Sequence, residues 1–306
     1  MSQNVNDEEY CIYVSGGATE NINPHDDSIN LVNNDFVYKL NKNSNNWNYF
    51  TELKSKRTDH QSAVIGDQMY LVGGQNVTYL ADTDIIPIIK ADKKLIPRIP
   101  IMHYKRSFFG MCSFAGCIFV AGGYNNAHGN LDTCEFYSTE SCEWVEASSM
   151  NTKRSHFSLI YFQEKIWAIG GFSNDTRLDT IETYNLAENK WTTLNTKLQS
   201  KRCGHSAVVH KQKCFVIGGL NEINELSSVE VYSIETNQFS FVSPMTVARS
   251  YFGCSLLNNN LIVFGGQLNT NEITDSVEVY DIEKQVWSKG PNLPLPLTAF
   301  GCTSTN

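Results

Sequence analysis

Residues 249–287 read RSYFGCSLLNNNLIVFGGQLNTNEITDSVEVYDIEKQVW, and this stretch decides the fold. It opens on Arg249. Sixteen residues later the apolar run Leu261 to Phe264 stops at Gly265-Gly266. A short β-branched and aromatic run ended by glycine reads as a buried strand. Glycine there permits a turn or close backbone approach that a Cβ would block. A polar loop follows, then the alternating segment Ser276-Val277-Glu278-Val279-Tyr280. Strict alternation predicts a strand with one buried face and one solvated face. Trp287 stands seven residues after Tyr280.

The same grammar recurs along the chain. Glycine pairs end apolar runs at Gly16-Gly17, Gly73-Gly74, Gly122-Gly123, Gly170-Gly171, Gly218-Gly219 and Gly265-Gly266, in steps of 57, 49, 48, 48 and 47 residues. Arg57, Arg106, Arg154, Arg202 and Arg249 each stand sixteen residues before the first glycine of a pair. Tyr137 and Trp144, Tyr184 and Trp191, Tyr232 and Phe239 repeat the seven-residue spacing. A period near 50 with fixed internal grammar marks a repeat architecture. Each unit holds about four short strands and cannot bury its apolar surface alone, so the units stack on their neighbours. Helical periodicity is nearly absent. The expected fold is all-β, a radial array of six blades.

The chain ends are expected to close the ring. The first repeat has no arginine before Gly16, whereas Leu297-Thr298-Ala299-Phe300-Gly301-Cys302 aligns with Arg249-Ser250-Tyr251-Phe252-Gly253-Cys254. Residues 299–306 then complete the blade begun by 11–50 and remove an exposed edge. Residues 1–10 read as a polar tail and 11–306 as one propeller. Two departures stand out. Ile89 and Ile96 take the tyrosine and tryptophan positions of the repeat after Gly74, where Pro87, Pro97 and Pro100 interrupt the strands. The Asn-rich insertion near residues 21–34 reads as a surface loop.

This grammar resembles the kelch repeat, a β-propeller motif, over roughly residues 11–306, and most of all the kelch domain of kelch-like substrate receptors. The resemblance implies a non-enzymatic module that binds a protein partner and brings it to a cullin-RING ubiquitin ligase, if a BTB-BACK region stands upstream. Actin binding is another role in the family. Sugar-modifying and metal-dependent kelch enzymes form the alternative class, and the Glu-x-x-x-Asp-x-x-x-His motif of the iron-using specifier proteins is absent. No nucleophile elbow, phosphate loop or metal-ligand cluster is visible, so no cofactor is expected.

Composition narrows the partners. A formal charge of −8 argues against a nucleic-acid binder. No apolar run is long enough to span a bilayer. Nine cysteines, an odd number, and a polar start without a secretory signal suit a reducing, cytoplasmic setting. The sequons at Asn76 and Asn174 are then chance.

An acidic or phosphorylated segment is the expected ligand, gripped by a ring of guanidinium groups from Arg57, Arg106, Arg154, Arg202 and Arg249 through bidentate hydrogen bonds. The opposing reading makes each arginine a brace for its own loop. The resemblance adds the residues after the arginines, among them Ser107, Ser155 and Ser250, and the residues after the glycine pairs, among them Tyr124 and Phe172. His156 and Tyr251 complete the expected rim. His60 and His205 occupy a slot filled by Phe109, Phe157, Phe252 and Phe300 in other repeats, which marks core packing rather than a metal site. Glu135, Glu182, Glu230 and Glu278 are expected on solvated faces or bracing the arginines.

Overall fold

The computed structural model describes residues 10–22, 29–41, 44, 46–89 and 99–305. Six antiparallel sheets form six blades. The first joins Cys11–Ser15, Phe36–Asn41 and Trp47–Glu52 to Gly301–Ser304. The second holds Gln61–Ile65, Gln68–Val72 and Thr83–Pro87. The third runs Gly110–Phe114, Cys117–Ala121, Cys134–Ser138 and Glu143–Ala147. The fourth runs Ser158–Phe162, Lys165–Ile169, Thr180–Asn185 and Lys190–Lys197. The fifth holds Ser206–His210, Lys213–Ile217, Val229–Ser233 and Gln238–Val242, and the sixth Gly253–Leu257, Asn260–Phe264, Val277–Asp281 and Val286–Lys289. The innermost strands neighbour one another in a closed circle. The ring closes as expected: Gly301–Ser304 pairs with Cys11–Ser15, setting Gly301 opposite Ser15 and Ser304 opposite Ile12.

The seven-residue spacing is a contact across a hairpin. Tyr137 lies opposite Trp144, Tyr184 opposite Trp191, Tyr232 opposite Phe239 and Tyr280 opposite Trp287. Their ring centroids stand 5.4, 5.2, 5.3 and 4.9 Å apart. The tryptophans also tie blades together. The indole N–H of Trp191 donates to Ser148 O at 2.9 Å and that of Trp287 to Ser243 O at 2.9 Å, each in the preceding blade.

The core lies between blades rather than within them. Tyr70 and Val72 of the second blade share one cluster with Ile118, Tyr137 and Trp144 of the third. Phe215 and Val231 of the fifth share another with Leu261, Val263 and Tyr280 of the sixth. Such burial is the main stabilising term, worth about 1.5–3 kcal/mol per large apolar side chain. It also corrects the reading of the alternating strands. Val229, Glu230, Val231 and Tyr232 are all buried, because a blade covers each face of its neighbour's third strand.

Three further corrections concern the irregular repeats. In the second blade Met69 pairs with Ile86 and Leu71 with Asp84, so Ile86 holds the tyrosine slot and Asp84 the glutamate slot. Ile89 lies beyond that strand and is exposed, and Ile96 and Pro97 fall outside the described residues. In the first repeat the insertion is not a plain loop. Ala18–Ile22 pairs with Ile29–Asn33 in a hairpin whose residues 23–28 fall outside the description. In the closing blade Tyr38 faces Val14 in the glutamate slot, and Leu297 holds the arginine slot. Both belong to one apolar cluster. The charged pair of the other blades is thus replaced as a unit by an apolar one, an exchange that is often neutral for stability.

Candidate functional site at the long-loop mouth

The arginine–glycine spacing is itself a hydrogen bond. Nη1 of Arg57, Arg106, Arg154, Arg202 and Arg249 donates to the carbonyl of Gly73, Gly122, Gly170, Gly218 and Gly265 at 3.2, 2.7, 2.8, 2.8 and 2.8 Å. Nη2 reaches Glu135, Glu182, Glu230 and Glu278 at 2.7, 2.5, 2.6 and 3.1 Å, and in the second blade Asp82 and Asp84 at 2.9 and 2.7 Å. The second carboxylate oxygen of each glutamate accepts the backbone N–H of His103, Asn151, Gln199 or Thr246, each at 2.7 Å. The next glycine completes the joint. Gly17, Gly74, Gly123, Gly171, Gly219 and Gly266 each donate to the carbonyl of the following blade's Arg57, Arg106, Arg154, Arg202, Arg249 or Leu297 at 2.8–2.9 Å. A Cβ on Gly16 would sit 2.6 Å from Arg57 O, at φ +59°, so the close approach requires glycine.

The five repeat arginines are therefore braces. They are 0% exposed in this structure. Burial pulls Arg154, Arg202 and Arg249 below their usual range, and the paired glutamates oppose that shift. Ser107, Ser155 and Ser250 are likewise fully buried, in backbone bridges to Tyr124, Phe172 and Gln267. The expected guanidinium ring and serine contacts are corrected on the same ground: they lie beneath the surface and hold the loops above them. Glu135, Glu182 and Glu230 are 0% exposed and brace the arginines. His60 and His205 are buried in the packing slot, where burial pushes both rings down to about 3.

The surface is built by the next residue along. Asp59, Phe108, His156, Gly204, Tyr251 and Ala299 each stand two residues after the arginine slot, and all have φ between 53° and 59°. That left-handed backbone is uncommon for non-glycine residues. Six bonds hold it: Asp59 N–H to Ala299 O, Phe108 to Asp59, His156 to Phe108, Gly204 to His156, Tyr251 to Gly204 and Ala299 to Tyr251, at 2.7–3.3 Å. A closed circle of backbone hydrogen bonds rings the axis and presents five side chains there, Gly204 having none.

Four of the expected rim residues gather there. His156 stacks on Phe108 with centroids 4.0 Å apart and meets Phe172 and Tyr251 edge-on at 6.3 and 5.7 Å. Tyr124 meets Tyr79 at 6.0 Å. Phe108, Tyr124, His156, Phe172 and Tyr251 are half-buried. Phe108, Tyr79, Tyr124 and Phe172 wall a groove of about 630 Å³ over the third and fourth blades, with Lys153 and Asp175 at its edge. Burial pushes the His156 ring down to about 4, so it is neutral at pH 7.

Phe108, Tyr79, Arg177 and Asp59 of this mouth escaped the sequence reading. Arg177 lies outside the repeat slot. Its guanidinium stands 5.6 Å over the Phe172 ring and its Nη1 holds Glu222 of the next blade at 2.7 Å, with 24% of the side chain exposed. Asp59 accepts a 2.8 Å bond from Gln75 Nε2. Both signals stood in the sequence. Arg177 breaks the repeat register, and the slot two residues after the arginine varies among Asp, Phe, His, Gly, Tyr and Ala while the slot before it holds only Thr, Ser or Cys and the slot after it only His or Phe. A further pattern is Lys-Arg at 56–57, 105–106, 153–154 and 201–202. Each arginine is buried and each lysine exposed.

Cys112, Cys117, Cys134, Cys142, Cys203, Cys214, Cys254 and Cys302 are free thiols. Among the described residues no group of three or more His, Cys, Asp or Glu is placed to hold a metal ion, and no helix is long and apolar enough to cross a membrane.

A six-bladed ring with a variable, largely aromatic mouth on a scaffold braced by buried ion pairs in five blades defines an interaction propeller. The sequence profile of the KLHDC2/KLHL20/DRC7 Kelch-repeats domain matches residues 60–266, and that of the Kelch motif matches 248–294. The chain belongs to the kelch-repeat family. It is similar to Kelch-like protein 13 of Mus musculus, 32% identical over 92 residues that cover 29% of this chain and 14% of that protein. It is also similar to Beta-scruin of Limulus polyphemus, 25% identical over 146 residues, 46% of this chain and 16% of that protein. The matches thus span about a seventh of the relatives' own length.

Proposed function

We propose that this propeller binds a short acidic or phosphorylated segment of a partner protein across the long-loop mouth. The observation that carries the reading is the cluster of Phe108, His156, Phe172 and Arg177. Half-buried aromatic rings on rigid loops are the residue type that anchors interfaces. Arg177, among the described residues the one arginine outside the repeat braces, stands beside them with its side chain partly in solvent. The exposed Lys56, Lys105, Lys153 and Lys201 recur in four successive blades of a chain with net charge −8. Charge-assisted bonds from such groups suit carboxylates and phosphates. The proposal keeps the acidic ligand expected from the sequence and assigns it a different set of cations. Recruitment of that partner to a ubiquitin ligase is part of the same proposal: the propeller would supply the target contact and a BTB-BACK region the ligase contact.

The test is affinity capture with wild type and a Phe172→Ala, Arg177→Ala double variant that melts alike, at low and high salt. The reading expects partners that are lost from the variant and weakened by salt. Identical partner sets from both proteins would refute it.

A further inference from the structure

Asp59 is the one acid in the backbone circle at the axis. Its neighbours across the circle are Ala299, Phe108 and, beyond Ala299, Tyr251. Ala299 carries only a methyl group, which leaves room beside the carboxylate. Phe108 flanks Asp59 on the other side, and His156 and Tyr251 lie further round the circle. Asp59, Phe108, His156, Tyr251 and Ala299 line one axial cavity of about 100 Å³. That is space for the head of one side chain and not for a stretch of backbone.

The carboxylate is poorly matched within the fold. It accepts from Gln75 Nε2 at 2.8 Å and from the Thr58 hydroxyl, both neutral donors. Among the described residues no lysine or arginine nitrogen forms an ion pair with it; the nearby Arg57 is spent on Asp82 and Asp84. A sequestered carboxylate without a cation is costly and either takes a proton or finds a counter-charge. Burial pushes Asp59 up to about 7. The walls of the cavity are the faces and edges of Phe108 and Tyr251, surfaces that attract a cation. An acid and aromatic rings around a cavity of head-group size make a receptor for positive charge.

We infer that Asp59 is the receptor for a lysine or arginine side chain of the bound partner, inserted along the propeller axis between Phe108 and Tyr251. The inference rests on the mouth being the partner site and adds a second element to its specificity. The preferred segment is mixed in charge, with acidic groups for Arg177 and the rim lysines and one basic residue for the axis. Asp59 alone titrates near neutrality here. His60, His205 and His156 share the cavity but stay neutral above about 3, 3 and 4, and Tyr251 and Tyr79, which also interact with Asp59, are raised above their usual range and so uncharged. Affinity for the cation therefore rises with pH up to about 7 and levels off above it.

The experiment titrates the chain at pH 8 with N-acetyl-arginine methylamide, with N-acetyl-lysine methylamide, and with N-acetyl-norleucine methylamide as the uncharged control, read by NMR line shifts. Wild type should bind at least one of the two cations. Asp59→Asn should bind it at least tenfold more weakly while melting no lower than wild type, and norleucine should bind neither protein. Binding to wild type should weaken about fivefold from pH 7 to pH 6. Equal cation binding by wild type and Asp59→Asn, or no cation binding by wild type, overturns the inference. Arg177→Ala separates the two readings, because it should leave the arginine probe unaffected and abolish capture of the acidic partner. Failure of the probes with capture intact would sink the inference alone.

Discussion

Replacing Glu182 by glutamine isolates the brace on which the mouth stands. Glu182 Oε1 lies 2.5 Å from Arg154 Nη2, and Oε2 accepts the Asn151 N–H at 2.7 Å; both side chains are 0% exposed. Glutamine keeps the volume but removes the charge, and its amide nitrogen meets a donor at one of those two positions. Arg154 retains its bonds to Gly170 O and Thr180 O but loses its counter-charge. Breaking one side of such a buried pair costs about 3–5 kcal/mol. With an unfolding entropy of about 2.1 cal/mol/K per residue, 306 residues give about 0.6 kcal/mol/K. The expected fall in Tm is thus about 5–8 °C, read by circular dichroism and checked by urea midpoint. The double change Arg154→Leu, Glu182→Tyr copies the pair that the closing blade carries at Leu297 and Tyr38, and should recover most of the loss. A Glu182→Gln protein melting within 1 °C of wild type would refute the reasoning. So would a double variant that melts below the single one.

The remaining predictions concern charge and the joint. His60 and His205 are held at about 3 while an unfolded histidine titrates near 6.5, so the unfolded chain binds protons first and stability is lost as pH falls below about 6.5. At pH 5 each ring costs about 2 kcal/mol by that linkage, and His60→Phe, His205→Phe, which copies the other blades, should flatten the dependence of urea midpoint on pH; an unchanged slope would contradict the burial argument. Asp59 runs the other way: its folded value near 7 lies above the unfolded 3.8, so its contribution is lost as pH rises through 7. Asp59→Asn should stabilise the chain by about 1–3 kcal/mol at pH 7.5, the linkage figure discounted for partial exposure, and a variant less stable than wild type would count against it. Gly16→Ala places a Cβ 2.6 Å from Arg57 O at a positive φ, and should cost at least about 2 kcal/mol, seen as a lower urea midpoint.

How much of this was legible follows from what a repeat records. Spacings record contacts, and the two fixed ones proved to be a hydrogen bond from Arg154 to Gly170 and a ring pair of Tyr184 with Trp191. Six such units, with Cys302 aligned on Cys254, were enough to give the blades and their closure. Exposure is not recorded in spacing. Glu230 alternates with Val229 and Val231 as a solvated residue would, and only the neighbouring blade, invisible in a single strand's pattern, makes that face interior. The arginines misled for the same reason: a guanidinium reads as a ligand group until its carboxylate partner is placed beside it. The left-handed circle was hidden because Phe108, His156 and Tyr251 are not residues that announce a positive φ; Gly204 alone hints at it. Arg177 and Asp59 were visible as exceptions to the repeat. Specificity in a repeat scaffold resides in such exceptions, since the shared positions are occupied in holding the shared fold.

The most direct test of the central claim is peptide selection on the intact propeller. A displayed random peptide library would be selected on wild type and the enriched peptides titrated against three proteins. These are wild type, His156→Ala, Phe172→Ala at the mouth, and Lys211→Ala, Lys213→Ala at the exposed turn joining Ser206–His210 to Lys213–Ile217, at the end of those strands away from Gly218. The account predicts peptides carrying acidic residues, binding at least thirtyfold weaker to the mouth variant and unchanged on the tight-turn variant. Equal binding by the mouth variant, or loss confined to the tight-turn variant, would contradict it.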